Sequence, residues 1–526
     1  MKRSLSLILI LALLFSAMLC IIPSAADLST GIDKLKVEKA SLEFGSNVHL
    51  LLAVNVYDYY LAIGGSSSGK YQSIYYCWAD KLNFLKLTVN GEEVKPTSEK
   101  LTINGAVSNN YVLYKYENIG AKNIGDEFDI KVYYIRDGVE ILASQCNYGA
   151  VDYALDAKTQ YPDNEALINV LDKMLAYGGA AQTAFNHTGS YDLTAFEGSI
   201  KDQSVVVLHG NATFASGAKK AFIKAGQTLT ATAESSSASW VTKAAQQVAP
   251  VGKTATIAYT SAKQDIYAID SDIYGVTPFI FDMDKYTGEA GAAITATGTN
   301  FGPQSNIRIS AIPEGGSVTL NPGYMTVYKN VTLYGNNDVD NNAFASTLAS
   351  AMASNDKTFT ISYTLATDTS DYAFGTMAIR TTSSANMIAT ANGDGTYTYA
   401  STGIYEFLRG GWGNDLGCYY DVNGVRGTTN QNSTLTEFAP SPCVPKFEIG
   451  VAPTEFATIH VVFDLVNHTA KYYVGDTLVK TLGVPVSADA LSSMYLQFTG
   501  NGKAYTYIKS IVLTKGDFVA NLNNAQ

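Results

Sequence analysis

The 526-residue sequence has little of what most catalytic or nucleic-acid-binding proteins need. Its five histidines (His49, His187, His209, His460, His468) are scattered, with no pair at a metal-ligand or nucleophile-partner spacing. No Gly-x-Ser-x-Gly elbow, His-Glu-x-x-His helix or phosphate-binding loop occurs. Charged residues make up 16% of the chain, and 36 Lys and Arg stand against 47 Asp and Glu, a net charge of −11. That balance disfavours a polyanionic partner such as nucleic acid. Only one long apolar run exists, Leu5–Ile22. No membrane span is expected after it, and the final GDFVANLNNAQ carries neither a hydrophobic tail nor a basic anchor.

That single run reads as an export signal over residues 1–26. Lys2 and Arg3 supply the positive start, and Pro23-Ser24-Ala25-Ala26 offers small residues at the cleavage positions. A retained N-terminal anchor is the alternative. Cleavage removes Lys2 and Arg3 and leaves 34 basic against 47 acidic residues, a mature charge of −13. A secreted, extracellular protein is expected. Of five cysteines, Cys20 goes with the signal, and Cys77, Cys146, Cys418 and Cys443 remain, two early and two late. An oxidising exterior permits one disulfide within each end domain, and reduced buried thiols are the other reading. No cysteine pair has the close spacing of a zinc site.

What the chain has in abundance is Tyr (35), Gly (44) and small polar residues, the composition of a turn-rich β-protein. Its length implies two to four domains. Composition shifts divide it into residues 28–195, 197–262 and 265–518. The first begins with strand-like runs at Ser41–Phe44, Val48–Val56, Leu82–Val89, Tyr111–Tyr116 and Phe128–Tyr134, with turn pairs Asn90-Gly91, Asn104-Gly105 and Asp137-Gly138. The period then becomes 3.6: Asp163 and Asn164 can cap a helix that places Leu167, Val170, Leu171, Met174 and Leu175 on one face. An antiparallel sandwich with a C-terminal helix follows. The 197–262 segment reads as a small β-module.

The third segment holds the clearest pattern, IHVVFDLVNHTAKYYVGDTLVKTL over Ile459–Leu482. Its apolar runs are broken by Asn467-His468-Thr469 and by Gly475-Asp476, a β-meander signal. Phe359–Leu365 alternates cleanly, and Ala504–Leu513 forms a last strand. With its aspartate-ended strand, short turn and "YV-G", the meander resembles the concanavalin-A-like, laminin-G-type jelly roll. That resemblance implies two packed antiparallel sheets and a family that mostly binds glycans.

Two further resemblances cover the rest. Tyr148, Asp152-Tyr153-Ala154 and Tyr177-Gly178-Gly179-Ala180-Ala181-Gln182 are similar to an N-terminal module of secreted and surface proteins of Gram-positive gut and rumen bacteria. That family implies no chemistry, and the small residues point to close helix packing. Phe222, Gly226, Ala233 and Trp240 resemble the small β-repeats of Gram-positive surface proteins, which act as spacers.

The laminarinase-type Glu-x-Asp-x-x-Glu that would make this fold a retaining hydrolase is missing. Asp282-Met283-Asp284 reads as a strand-end cap, and Glu406 and Glu448 as lone outward-facing residues. An unfamiliar glycosidase stays as an alternative, since a fold does not fix function. Asn336–Asn342 puts oxygen donors at alternate positions, and Asp338, Asp340 and Asn342 form a calcium candidate. Ala343 and Ala349 depart from the EF-hand pattern, and an Asx-rich turn explains the run as well. No other cofactor is expected. For glycan contact the candidates lie in IYEFLRGGWGNDLGCYYDVNGVR: Trp412 as a stacking indole, Asn414, Asp415 and Asn423 as hydroxyl partners, and one of Tyr419 and Tyr420, which fall on opposite faces of a strand. Burial of Trp412 in the core is the competing reading. The expected partner is an extracellular glycan or cell-surface component, bound without catalysis. A structural or adhesive surface protein is the alternative.

Overall fold

The computed structural model describes residues 31–44, 47–62 and 84–297 (except 100, 104–105, 109, 137 and 276–277), then 300–301, 307–328, 331–333, 357–368, 374–380, 389–391, 397–399, 403–409, 416–422, 425–426, 444–464, 466–467, 469–483, 495–499 and 505–526. The export segment 1–26 and the 336–342 run lie outside these residues. The fold is mostly β, with several antiparallel sheets, and divides into two compact units. Residues 197–262 are shared between them: 197–206, 216–227 and 259–262 belong to the first unit, 207–215 and 228–258 to the second.

In the first unit, strands β1 (Val37–Phe44), β2 (Val48–Asn55) and β5 (Tyr111–Ile119) form one sheet, with β2 central. A second sheet runs in the order β4-β3-β6-β7, where β3 is Leu85–Val89, β4 Glu92–Val94, β6 Glu127–Arg136 and β7 Val139–Gly149. The β3–β4 turn is Asn90-Gly91, with φ of 50° and 83°, the paired left-handed conformation that Asn and Gly tolerate best in a tight hairpin. Helices α1 (Ala150–Gln160) and α2 (Glu165–Phe185) follow. Asn164 caps α2 as its spacing predicts, its Oδ1 accepting from the Leu167 N–H at 3.1 Å. Ile168, Leu171, Met174 and Leu175 are buried, whereas Val170 is 44% exposed, so the apolar stripe is narrower than its sequence periodicity implies.

The second unit is built around two ten-stranded sheets. In chain order its main strands are β8 (Phe279–Asp282), β9 (Ile307–Ala311), β10 (Ser317–Asn321), β11 (Tyr324–Tyr328), β12 (Thr332–Leu333), β13 (Thr358–Asp368), β14 (Phe374–Arg380), β15 (Gly403–Arg409) and β16 (Leu416–Val422). They continue with β17 (Val425–Arg426), β18 (Ala457–Asp464), β19 (Thr469–Val474), β20 (Thr477–Gly483), β21 (Tyr495–Thr499) and β22 (Tyr505–Lys515), and end at helix α3 (Phe518–Asn524). Sheet A contains the order β10-β11-β22-β13-β18-β19-β20, with β8 also on β22; sheet B contains β9-β12-β21-β14-β15-β16-β17.

The β18–β19–β20 meander is the one expected from Ile459–Leu482. Asp464 ends β18 and turns the chain, its Oδ1 accepting from the N–H groups of Val466 (3.1 Å) and Asn467 (2.9 Å). Gly475, at φ 60°, makes the second turn. One face of sheet A supplies the core: Phe359, Ile361, Tyr363 and Leu365 from β13, Ile459, Val461 and Phe463 from β18, and Ile511 and Leu513 from β22 are fully buried. Ile309 of β9 and Leu333 of β12 join the same cluster, so the core lies between the sheets. The other face of sheet A is also buried but small and polar, with Thr360, Ser362, Thr364, His460, Ser510 and Thr514. There Phe518 and Leu522 of α3 pack with Val241, Tyr267, Ile273, Tyr274, Ile280 and Val512.

Candidate functional site

Sheet B carries two chemistries on its two faces, and the strand register sorts them. Leu333 is buried in the core, so its neighbour Thr332 lies on the opposite, outer face. Thr332 pairs with Gln497, Gln497 with Ala378, Ala378 with Tyr405, and Tyr405 with Tyr419. Residues paired across antiparallel strands share a face. The outer face therefore takes Arg380 from β14, Tyr405 and Phe407 from β15, Tyr419 and Asp421 from β16, and Tyr495 and Gln497 from β21. The positions on the opposite side, that of Leu333, are Met377, Ile379, Ile404, Glu406, Leu408, Leu416, Cys418, Tyr420, Leu496 and Phe498, of which Glu406 is charged. Pattern and register agree on which face is which.

By register Tyr419 pairs with Tyr405 and Tyr420 with Ile404, positions on opposite faces of the sheet. Glu406 pairs with Cys418. Glu448 is exposed, as expected. Trp412, Asn414, Asp415 and Asn423, and the calcium candidates Asp338, Asp340 and Asn342, lie outside the described residues. So do Cys77 and Cys443. Cys146 on β7 is a free thiol, which removes it from any bridge. Tyr405, Gln497 and Arg380 escaped the sequence reading, although the alternation in YLQFT was available to find Gln497.

Polar clusters elsewhere in each unit have structural partners. In the second unit, Asp282 caps a 3₁₀ turn by accepting from the Asp284 N–H at 3.1 Å, as a strand-end cap should. Gln246 Nε2 donates to Asp282 Oδ1 (2.8 Å) and Asp284 Oδ2 (3.0 Å), and Lys509 pairs with Asp284 at 3.2 Å. Burial raises the Asp282 pKa despite the Gln246 bond. A cavity of about 210 Å³ lies among Gly210, Asn211, Ala268–Ser271 and the end of α3; Asp270 is its one carboxylate and no aromatic lines it. Among the described residues no three His, Cys, Asp or Glu side chains cluster as metal ligands.

In the first unit the DYA and YGGAAQ residues act as fasteners. The Tyr191 hydroxyl donates to Asp152 Oδ1 at 2.6 Å, and the Gly149 N–H donates to Asp152 Oδ2 at 2.8 Å. Burial pushes the Asp152 carboxyl up to about 6 against these bonds. Gln182, 2% exposed, donates to the Tyr191 carbonyl and accepts from the Leu193 N–H, both at 2.9 Å. A Cβ on Gly179 would stand 2.1 Å from the Leu193 carbonyl oxygen, so only glycine admits the Leu193 backbone so close to α2.

The class defined by this geometry is a mostly β protein whose second unit is a two-sheet antiparallel sandwich. No protein-family model and no curated protein matches the chain. Similar solved structures include the potassium-bound Emp46p carbohydrate recognition domain, at 12% identity over 45% of this chain and 100% of that chain, TM-score 0.27. Bacillus licheniformis beta-glucanase matches at 12% identity over 46% and 100%, TM-score 0.20. The Ruminococcus gnavus IT-sialidase CBM40 bound to alpha2,3 sialyllactose matches at 11% identity over 35% and 89%, TM-score 0.20. Likenesses of this size decide nothing by themselves, and the sandwich assignment rests on strand order and core.

Proposed function

We propose that this is an exported, non-catalytic recognition protein of bacterial origin that binds an extracellular glycan on the outer face of sheet B. The observation that carries the reading is the register that places Tyr405, Tyr419, Tyr495 and Gln497 at positions on one face of the sheet. Aromatic faces stack on sugar rings, and amide groups satisfy sugar hydroxyls. Against catalysis stands the count of acids: at the outer-face positions of the described strands of sheet B, Asp421 is the only carboxylate. Glycoside hydrolysis of the usual kind needs two flanking the scissile bond. The 1–26 segment supports export, and Trp412 belongs to the same β15–β16 connection as the paired tyrosines.

Glycan-array binding by the intact protein tests the reading, followed by titration with the best ligand. Tyr405→Ala and Tyr419→Ala should each weaken binding by on the order of tenfold, the scale of one lost aromatic contact. Thermal unfolding should stay unchanged. Absence of binding to any glycan by the folded protein would leave a structural or adhesive role in its place.

A further inference from the structure

The face of sheet A turned away from the core lies in part under α3, and beyond that cover it carries a row of aromatic rings. Met325 and Val327 of β11 are buried in the core, so Tyr324, Thr326 and Tyr328 lie on the opposite face. Their partners on β22 share that face: Tyr505 stands opposite Tyr328, and Tyr507 opposite Thr326. The rings of Tyr328 and Tyr505 stack with centroids 4.5 Å apart and planes at 24°. Tyr324 meets Tyr507 edge-on at 5.9 Å, and Phe456, just before β18, at 6.4 Å. Tyr507 is buried, whereas Tyr324, Tyr328, Tyr505 and Phe456 are half-buried and keep part of each ring at the surface. The charges beside the row are engaged with the protein itself. Lys509 Nζ lies 5.7 Å from the Phe456 ring centre and 3.2 Å from Asp284, and the fully buried Asp368 accepts the Tyr505 N–H at 2.9 Å. On the next strand, β10, Ser317 stands opposite Tyr328 and Thr319 opposite Thr326, so hydroxyl groups border the rings. None of these outward positions holds Leu, Ile, Val or Met, which give an obligate protein interface or a lipid-binding face its apolar area.

We infer that this row is a second carbohydrate site, one that takes a neutral oligosaccharide, with pyranose rings lying on Tyr324, Tyr328 and Tyr505. The face of an aromatic ring is electron-rich and meets the C–H side of a sugar, while phenolic and aliphatic hydroxyls both donate and accept, which suits an uncharged polyol. From Tyr324 to Tyr328 the strand rises by about 14 Å, room for a short oligosaccharide rather than a single ring. The row lies across the core from sheet B and uses none of its positions. With both faces filled, one chain would bridge two glycan strands and gain avidity from the pairing. The inference extends the glycan reading to another face and does not depend on where on sheet B a sugar sits.

The test titrates the full chain with cellohexaose, xylohexaose, mannohexaose and laminarihexaose, and hydroxyl-radical footprinting with the tightest binder reads which tyrosines become shielded. Shielding of Tyr324, Tyr328 and Tyr505 is expected. Tyr324→Ala and Tyr505→Ala should each weaken binding at this row by about tenfold, the scale of one lost aromatic contact, and Tyr505→Phe should restore most of it. Footprinting of the wild type needs no substitution, so it decides the matter even where an alanine variant fails to fold. Shielding confined to Tyr405, Tyr419 and Tyr495 overturns this inference and leaves the sheet B reading standing. Shielding confined to the sheet A row, with no effect of Tyr419→Ala, does the reverse. Binding of none of the four hexasaccharides overturns the inference, and the glycan array then decides the sheet B reading by itself. Self-association of the chain that Tyr324→Ala abolishes, without any sugar binding at the row, overturns it in favour of a contact between copies.

Discussion

Acidification should loosen the second unit through one buried histidine. His460 is 1% exposed on β18; its Nδ1 lies 2.7 Å from the Ser362 hydroxyl, and its ring packs 5.3 Å from that of Phe518 on α3. Burial holds its pKa down at about 4 against an ordinary 6.5, outweighing the opposing effects of a backbone bond at Lys243 and the charge of Asp476. Since the folded pKa is the lower, the neutral ring's contribution is complete above pH 6.5 and is lost as pH falls through 4. A difference of about 2.5 units corresponds to about 3 kcal/mol, a large part of a stability of roughly 5–15 kcal/mol. Urea unfolding of wild type and His460→Gln at pH 7.5, 5.5 and 4.0 measures it. Carboxylates elsewhere affect both proteins alike, so the difference in pH slope isolates His460. Amide exchange across Phe518–Asn524 should accelerate in the wild type at pH 4. An identical pH dependence in the two proteins would refute the reasoning.

Asp152 predicts the opposite sign for the first unit. Its folded value of about 6 lies above the ordinary 3.8, so its contribution is present below pH 3.8 and lost as pH rises through 6, worth about 3 kcal/mol, and Asp152→Asn should flatten that slope in calorimetry. Gly179→Ala should destabilise the first unit by about 3 kcal/mol, because its methyl would meet the Leu193 backbone; a melting temperature equal to wild type would contradict the close approach. Tyr420→Ala should lower the melting temperature of the sandwich where Tyr419→Ala does not, since register puts the first on the core side and the second on the outer face.

Features whose determinants sit side by side in the chain were legible in advance. Asn90-Gly91 needs only its own two backbones to make a hairpin, Asn164 reaches only three residues to cap α2, and Asp464 closes its turn within three residues. Features set by distant partners were not. Val170 fits the helical stripe by spacing, but the stripe's width depends on which elements pack on α2. The seven residues of α3 are too few to show a period, so nothing in GDFVANLNNAQ announced a helix that covers the polar face of sheet A. For the candidate site, the tyrosines could be named from sequence, but the row joining Tyr405, Tyr419 and Gln497 came from strands 92 residues apart at its limits.

The division of labour along each strand of sheet B has a consequence for how this protein can change. By register the odd positions of β15 and β16 share one face of the sheet and the even positions the other, and the backbone hydrogen bonds between the strands depend on neither set of side chains. Drift at the odd positions can exchange one sugar preference for another at little cost in folding free energy. A library randomised at Tyr405, Phe407 and Tyr419 should thus remain largely folded, a scaffold for selecting new sugar specificities.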